Sequence, residues 1–233
     1  MHTQAPPTEY YTRLAAAYMR GNNVPHTPAD AELFSAPLDT LTPEQQQRLI
    51  ALARQAELRI HRFKHTITLP RVAKVLGALK GIGPSELLDI GSGRGAFLWP
   101  LLDNFPHQPV TAIDTLDYRV AGLLAVRNGG VTTLTAQLAD ATTLPFAERS
   151  YDVVTMLEVL EHIPDTQRAL AEVVRVAQRF VLLSVPSKPD TNPEHIHLFD
   201  ANTLERLLLA AGAQRVRFDH VPGHLLAIAS IET

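Results

Sequence analysis

Three groups of residues in this chain of 233 have the types and spacing to do chemistry. The first is Asp89-Ile90-Gly91-Ser92-Gly93-Arg94-Gly95-Ala96, where alternate glycines leave a turn free of bulky side chains. Such glycines permit positive φ and let a ligand lie directly against outward-pointing amides at a helix N-terminus. Gly91-x-Gly93-x-x-Ala96 also meets the dinucleotide-binding spacing. Asp89 separates the two ligands, because a carboxylate there repels a pyrophosphate and suits a ligand with an ammonium group and no phosphate. The second is Asp114, about 20 residues past the glycines, the separation at which an acid takes both ribose hydroxyls. The third pairs Glu158-x-x-Glu161-His162 with Glu194-His195-Ile196-His197-Leu198-Phe199-Asp200. Two carboxylates and two imidazoles, Glu158, Glu161, His162 and His197, could converge on Mg²⁺, Mn²⁺ or Zn²⁺.

Elements must bring these groups together. Leu87, Leu88 and Ile90 form the continuous apolar run of a parallel strand buried on both faces, so Asp89 and the glycines fall at its end. From there strand and helix patterns alternate to about residue 185, the signature of βαβ units. The expected strands are Val110–Asp114, a run within Val131–Leu138, Ser150–Met156 and Arg179–Val185, the last ended by Pro186. Helices are expected after the glycines (Leu98, Leu101, Leu102), over Val120–Val126 up to Gly129-Gly130, and after a cap at Asp200. Glu158 to His162 should open the helix that follows the fourth strand, with Glu158 and Glu161 on one face. Gln214–Val221 and His224–Ile231, joined by Pro222-Gly223, should form a hairpin, with His220 and His224 at the surface.

Residues before 81 show helical spacing and no strand alternation. Thr8 is a candidate cap for a helix ending near Gly21. Thr42-Pro43-Glu44-Gln45 is a capping-box start, and Pro70 opens a helix that runs to Gly81-Ile82-Gly83-Pro84. His61 and His65 fit a solvated basic helix end better than a ligand pair. The expected fold is α/β, a doubly wound, mostly parallel seven-stranded sheet with an antiparallel C-terminal hairpin. The expected division is a helical segment, 1–80, and a ligand-binding domain, 81–233.

Composition narrows the function classes. Hydrophobic residues at 45%, charged residues at 19% and a formal charge of −3 describe an ordinary globular chain with no basic excess for nucleic acid. There is no cysteine, which excludes disulfides and thiolate metal sites. No apolar run approaches a membrane span, and Met1-His2-Thr3-Gln4 does not look like a signal peptide, so a cytoplasmic location is the expectation.

Taken in order, Asp89-x-Gly91-x-Gly93-x-Gly95, Asp114, Asp140 and Leu157-Glu158-Val159-Leu160-Glu161-His162 resemble the motifs of the class I S-adenosylmethionine-dependent methyltransferases. The resemblance covers residues 70 to 231. It implies that Asp89, Gly91, Ser92, Gly93 and Gly95 hold the methionine part of the donor and Asp114 its ribose. Asp140 would reach the adenine amine, with Ala141 and Leu157 beside it, and the N-terminal helices would form a lid over the donor. His162 or His197 would be the catalytic base or a metal ligand. Glu-x-x-Glu-His is also similar to the metal motif of small-RNA 3′-terminal ribose 2′-O-methyltransferases, whose last histidine ligand His197-Leu198-Phe199-Asp200 would match, and to a stretch of ubiquinone-type O-methyltransferases. The same string occurs in methyltransferases without a metal, where the histidine closes the donor pocket and Pro164-Asp165 caps a helix. The expected function is methyl transfer to an oxygen or nitrogen of a small-molecule acceptor. The alternatives are a metal-assisted RNA 2′-O-methyltransferase and a non-catalytic partner subunit that binds the donor.

Overall fold

The computed structural model describes residues 10–65 and 69–231. Seven strands, β1 (Leu87–Ile90), β2 (Val110–Asp114), β3 (Leu134–Leu138), β4 (Tyr151–Leu157), β5 (Ala177–Pro186), β6 (Arg215–Val221) and β7 (His224–Ser230), form one sheet in the order β3-β2-β1-β4-β5-β7-β6. The first five are parallel, β7 runs antiparallel to β5, and β6 pairs antiparallel with β7 at the sheet edge. This is the sheet expected from the sequence. Its central strands β1 and β4 are buried almost throughout because helices cover both faces. Between β4 and β5 the pairing steps from Tyr151↔Ala177 to Val153↔Phe180, so β5 carries one extra residue at a bulge that puts Arg179 beside Asp152.

The helices are α1 (Thr12–Gly21), α2 (Ala31–Ser35), α3 (Pro43–Gln55), α4 (Pro70–Ile82), α5 (Leu98–Asn104), α6 (Asp117–Asn128), α7 (Thr166–Val176) and α8 (Ala201–Ala210). Helix α3 starts with the capping box foreseen: Gln45 N–H donates to Thr42 Oγ1 at 3.3 Å and Thr42 N–H to Gln45 Oε1 at 2.8 Å. Asp200 caps α8 by accepting from Thr203 N–H at 2.7 Å. The proposed cap Thr8 lies outside the described residues; α1 begins after Tyr11, which makes no side-chain cap.

Helices α1 to α3 are built into the body of the fold. Residues 10–63 share one core with α5, α6 and the sheet, including Leu14, Met19, Leu49, Phe63, Trp99, Leu123 and Leu134. Helices α1 and α6 meet backbone to backbone: a Cβ on Gly21 would stand 1.8 Å from the Ala125 carbonyl oxygen, and one on Gly129 1.8 Å from that of Ala17. Burial of the apolar face seen in the sequence is the driving force, and small residues set the separation. Helices α7 and α8 cover the other face through Leu170, Val173, Leu204 and Leu208.

Candidate functional site

Strand β1 ends in a turn that only glycine enters without strain. Gly91, Gly93 and Gly95 have φ of +68°, +58° and +83°. A Cβ on Gly91 would lie 2.4 Å from a Val159 methyl carbon, and one on Gly95 2.1 Å from the Trp99 ring, so neighbouring side chains already fill the space. The turn is anchored to β2, since the Gly91 and Ser92 amides both donate to the Ile113 carbonyl, at 2.9 and 3.1 Å.

Three acids stand at the ends of successive strands around one cavity of about 890 Å³ at the C-terminal edge of the sheet. Asp89 is 2% exposed and accepts from the Ser92 hydroxyl at 2.7 Å and the Thr155 hydroxyl at 2.8 Å. Burial pushes its carboxyl up to about 6 despite those two hydroxyls. Asp114 Oδ2 accepts from Gly93 N–H at 2.9 Å and from Arg119 Nη1 at 3.3 Å, and Oδ1 accepts from Leu116 N–H at 3.0 Å. Asp140 Oδ1 accepts from both the amide and the hydroxyl of Thr142, at 2.7 and 2.8 Å, which makes an Asx turn at the rim. Gly91, Ser92, Gly93, Ala141 and Leu157 line the same cavity, whereas Gly95 packs behind it on Trp99. Of residues 10–65 and 69–80, Arg71 and Val72 of α4 reach the lining.

The Glu158 to His162 stretch is not the start of a helix. Glu158 takes a left-handed φ of +56° while its amide stays tied to β5 through the Ser184 carbonyl at 2.9 Å, and a single 3₁₀ turn follows over Leu160–His162. Helix α7 begins later, with Asp165 accepting from Arg168 N–H at 3.0 Å. Glu158 and Glu161 therefore do not share a helical face. Glu158 accepts from the Ser184 hydroxyl at 2.6 Å, lies 3.0 Å from His224 Nε2, and has Arg71 at 3.6 Å. Glu161 is fully buried, and neither of its carboxylate oxygens has a hydrogen-bond partner. Burial, reinforced by the charge of Glu158, pushes its carboxyl up to about 8.

The four metal-ligand candidates divide accordingly. Glu161 and His162 each bring a ligand atom within 4.8 Å of one another and of His195; Glu158 and His197 are not part of that group. His162 lines the cavity, and its Nδ1 is 2.9 Å from the Glu194 carbonyl, so Nδ1 carries the proton and Nε2 the lone pair. His197 does not line the cavity, and its Nε2 is buried without a partner. His61 and His65 are exposed at a 3₁₀ turn, Ile60–Phe63, and its end, not on an α-helix.

Sequence reasoning missed Arg71, Arg119, Thr155, Ser184 and His195, and placed His224 at the surface. His224 is half-buried because β7 runs antiparallel, so its first residue lies opposite Pro186 at the edge where the parallel strands end. That position could have been found from the hairpin alone. Nothing in the spacing marks Arg119, whose Nε is buried without a partner beside Asp114.

Residues 88–182 match the family model of a methyltransferase domain, and the chain has the class I Rossmann-like fold of the S-adenosylmethionine-dependent methyltransferases. It is 30% identical over 108 residues to a malonyl-[acyl-carrier protein] O-methyltransferase of Geobacter sulfurreducens, covering 46% of this chain and 40% of that protein. It is 32% identical over 120 residues to a ubiquinone biosynthesis O-methyltransferase of Rickettsia prowazekii, covering 50% and 45%. The chain thus spans less than half the length of either relative. A solved S-adenosylmethionine-dependent methyltransferase from Aquifex aeolicus superposes with a TM-score of 0.58 at 23% identity, over 69% of this chain and 89% of that one. No helix among the described residues is long and apolar enough to cross a membrane.

Proposed function

We propose that the chain transfers a methyl group from S-adenosylmethionine to an oxygen or nitrogen nucleophile of a small-molecule acceptor. The observation that carries the reading is the set of three acids, Asp89, Asp114 and Asp140, at three strand ends around one cavity closed by the glycine turn. A carboxylate offers about four acceptor directions. Asp114 uses three of them, Asp89 two and Asp140 two, all on its Oδ1. Each acid thus keeps capacity for donors of a ligand, which fits an ammonium, a ribose diol and an exocyclic amine. When bound, the donor supplies a methyl group already activated by its sulfonium charge.

The work left to the protein is alignment, exclusion of water and removal of a proton. The glycine turn lets the ligand approach the backbone. Asp114 is held in place by two amides and a guanidinium, with one acceptor direction on Oδ1 open to a ribose hydroxyl and the long Arg119 contact at 3.3 Å the one a second hydroxyl would replace. His162, with Nδ1 committed to Glu194, presents Nε2 as the base for an acceptor proton. The name of the ubiquinone biosynthesis relative supports a small-molecule acceptor, and the names of both O-methyltransferase relatives make oxygen the first nucleophile to test.

Calorimetric titration of S-adenosylhomocysteine, with NAD as control, tests the reading. Asp114→Asn should weaken binding about tenfold to a hundredfold, the worth of a charge-assisted contact. Binding of NAD and not of S-adenosylhomocysteine would overturn it. With binding shown, transfer of labelled methyl to a panel of phenols, carboxylic acids and amines separates an enzyme from a donor-binding subunit.

A further inference from the structure

We propose that Glu161, His162 and His195 form a binding site for one divalent transition-metal cation beside the cavity. The argument starts from Glu161. It is 0% exposed and both oxygens lack a hydrogen bond, whereas buried polar groups in folded proteins nearly always have partners. An unpaired buried carboxylate costs several kcal/mol unless a cation or proton meets it. What lies next to it is a pair of imidazoles: one ligand atom from each of Glu161, His162 and His195 falls within 4.8 Å of the others. Ligands on a tetrahedral zinc-sized cation at about 2.0–2.2 Å stand about 3.3–3.6 Å apart, so side-chain shifts of about an ångström close the set.

Both imidazoles are already oriented for this. Nδ1 of His162 faces the Glu194 carbonyl at 2.9 Å, and Nδ1 of His195 faces Asp190 Oδ2 at 2.7 Å. Each therefore keeps its proton on Nδ1 and an open lone pair on Nε2, the arrangement seen around metal-bound histidines. The loop that carries His195 is pinned to the same residue, since the amides of Ile196 and His197 both donate to the Glu161 carbonyl, at 3.0 and 3.3 Å. Two imidazoles and one carboxylate suit Zn²⁺, Mn²⁺, Fe²⁺ or Co²⁺ better than Mg²⁺ or Ca²⁺, and three protein ligands leave an exchangeable position. Glu158 is not a ligand because Ser184, His224 and Arg71 occupy it.

Binding at the site requires neither S-adenosylmethionine nor turnover; because a cation would take the lone pair of His162 Nε2, that nitrogen is the base named above only while no cation is bound. The test uses the full chain stripped with chelator and titrated with Co²⁺ alone, read by calorimetry and by the visible absorption of the bound ion, then repeated with Zn²⁺ and Mn²⁺. One saturable site per chain is expected. Glu161→Gln and His195→Ala should each weaken it at least about tenfold. Glu158→Gln and His197→Ala should leave it unchanged. His195→Ala lies on an irregular loop, so circular dichroism of that variant keeps loss of binding distinct from loss of fold. No binding of any of the three ions, binding indifferent to Glu161→Gln and His195→Ala, or binding lost in Glu158→Gln or His197→Ala would each overturn the proposal. S-adenosylhomocysteine binding in the same samples shows separately whether the donor reading stands.

Discussion

Two buried acids bracket strand β4, and they live in opposite conditions. Asp152, at its start, is 5% exposed and accepts from the Ser85 amide at 2.7 Å, the Ser85 hydroxyl at 3.1 Å, and Arg179 Nη2 at 2.7 Å, with Arg179 Nε also in contact. The guanidinium holds its carboxyl below the usual range. Glu161, just past the end of the strand, is equally buried and has no partner on either oxygen. One strand thus ends in a satisfied ion pair at the edge away from the cavity and in an unsatisfied acid at the edge beside it. The difference teaches that the chain pairs a buried carboxylate at one edge of the strand and leaves one unpaired at the other, and it is this contrast that singles Glu161 out for the cation proposed above.

The comparison can be broken most forcefully at Asp152. Asp152→Ala should lower unfolding free energy by about 2–3 kcal/mol in urea titrations, the low side of a buried pair because Arg179 reaches solvent, and should leave S-adenosylhomocysteine affinity untouched. An equal loss of donor binding would mean the two edges are not separable. The second test sharpens the contrast through pH. Folded Glu161 keeps its proton to about 8, while the unfolded chain releases it near 4.5. In chelator-containing buffer, stability should therefore fall as pH rises from about 5 to 8, and Glu161→Gln should remove that fall, a difference of at most about 4 kcal/mol. Asp89 titrates upward in the same sense in both proteins, so it cancels from the difference. Parallel pH profiles would mean that Glu161 is solvated. The smallest effect belongs to His224→Ala. Its contact with Glu158 is partly solvent-accessible, so thermal denaturation should register less than about 1 kcal/mol.

Much of this was legible in the chain itself. The glycine turn, Asp114 at the end of β2, and the caps at Thr42 and Asp200 are local matters of φ, spacing and nearby donors, and local physics is what a sequence displays. The Glu158 to His162 stretch reads as a helix start because its spacing is helical. It is not one, because the Glu158 amide is held by Ser184, 26 residues on, and the chain turns through a left-handed residue instead. His195 was overlooked in favour of His197 because the choice between neighbours in an irregular loop depends on which one faces Glu161. The apolar faces of the N-terminal helices were visible, but not what covers them: Gly21 and Gly129 read as helix stops, and nothing local says that each also makes room for the other helix.

That mutual approach of α1 and α6 has a dynamic consequence. Helices whose backbones touch through Gly21 and Gly129 have no side-chain cushion along which to slide, and α1 contributes fully buried Leu14 and Met19 to the same core as the sheet. The N-terminal layer should then open only when the sheet opens. Its amides, those of Ala15 to Met19 above all, should exchange with deuterium as slowly as those of β1.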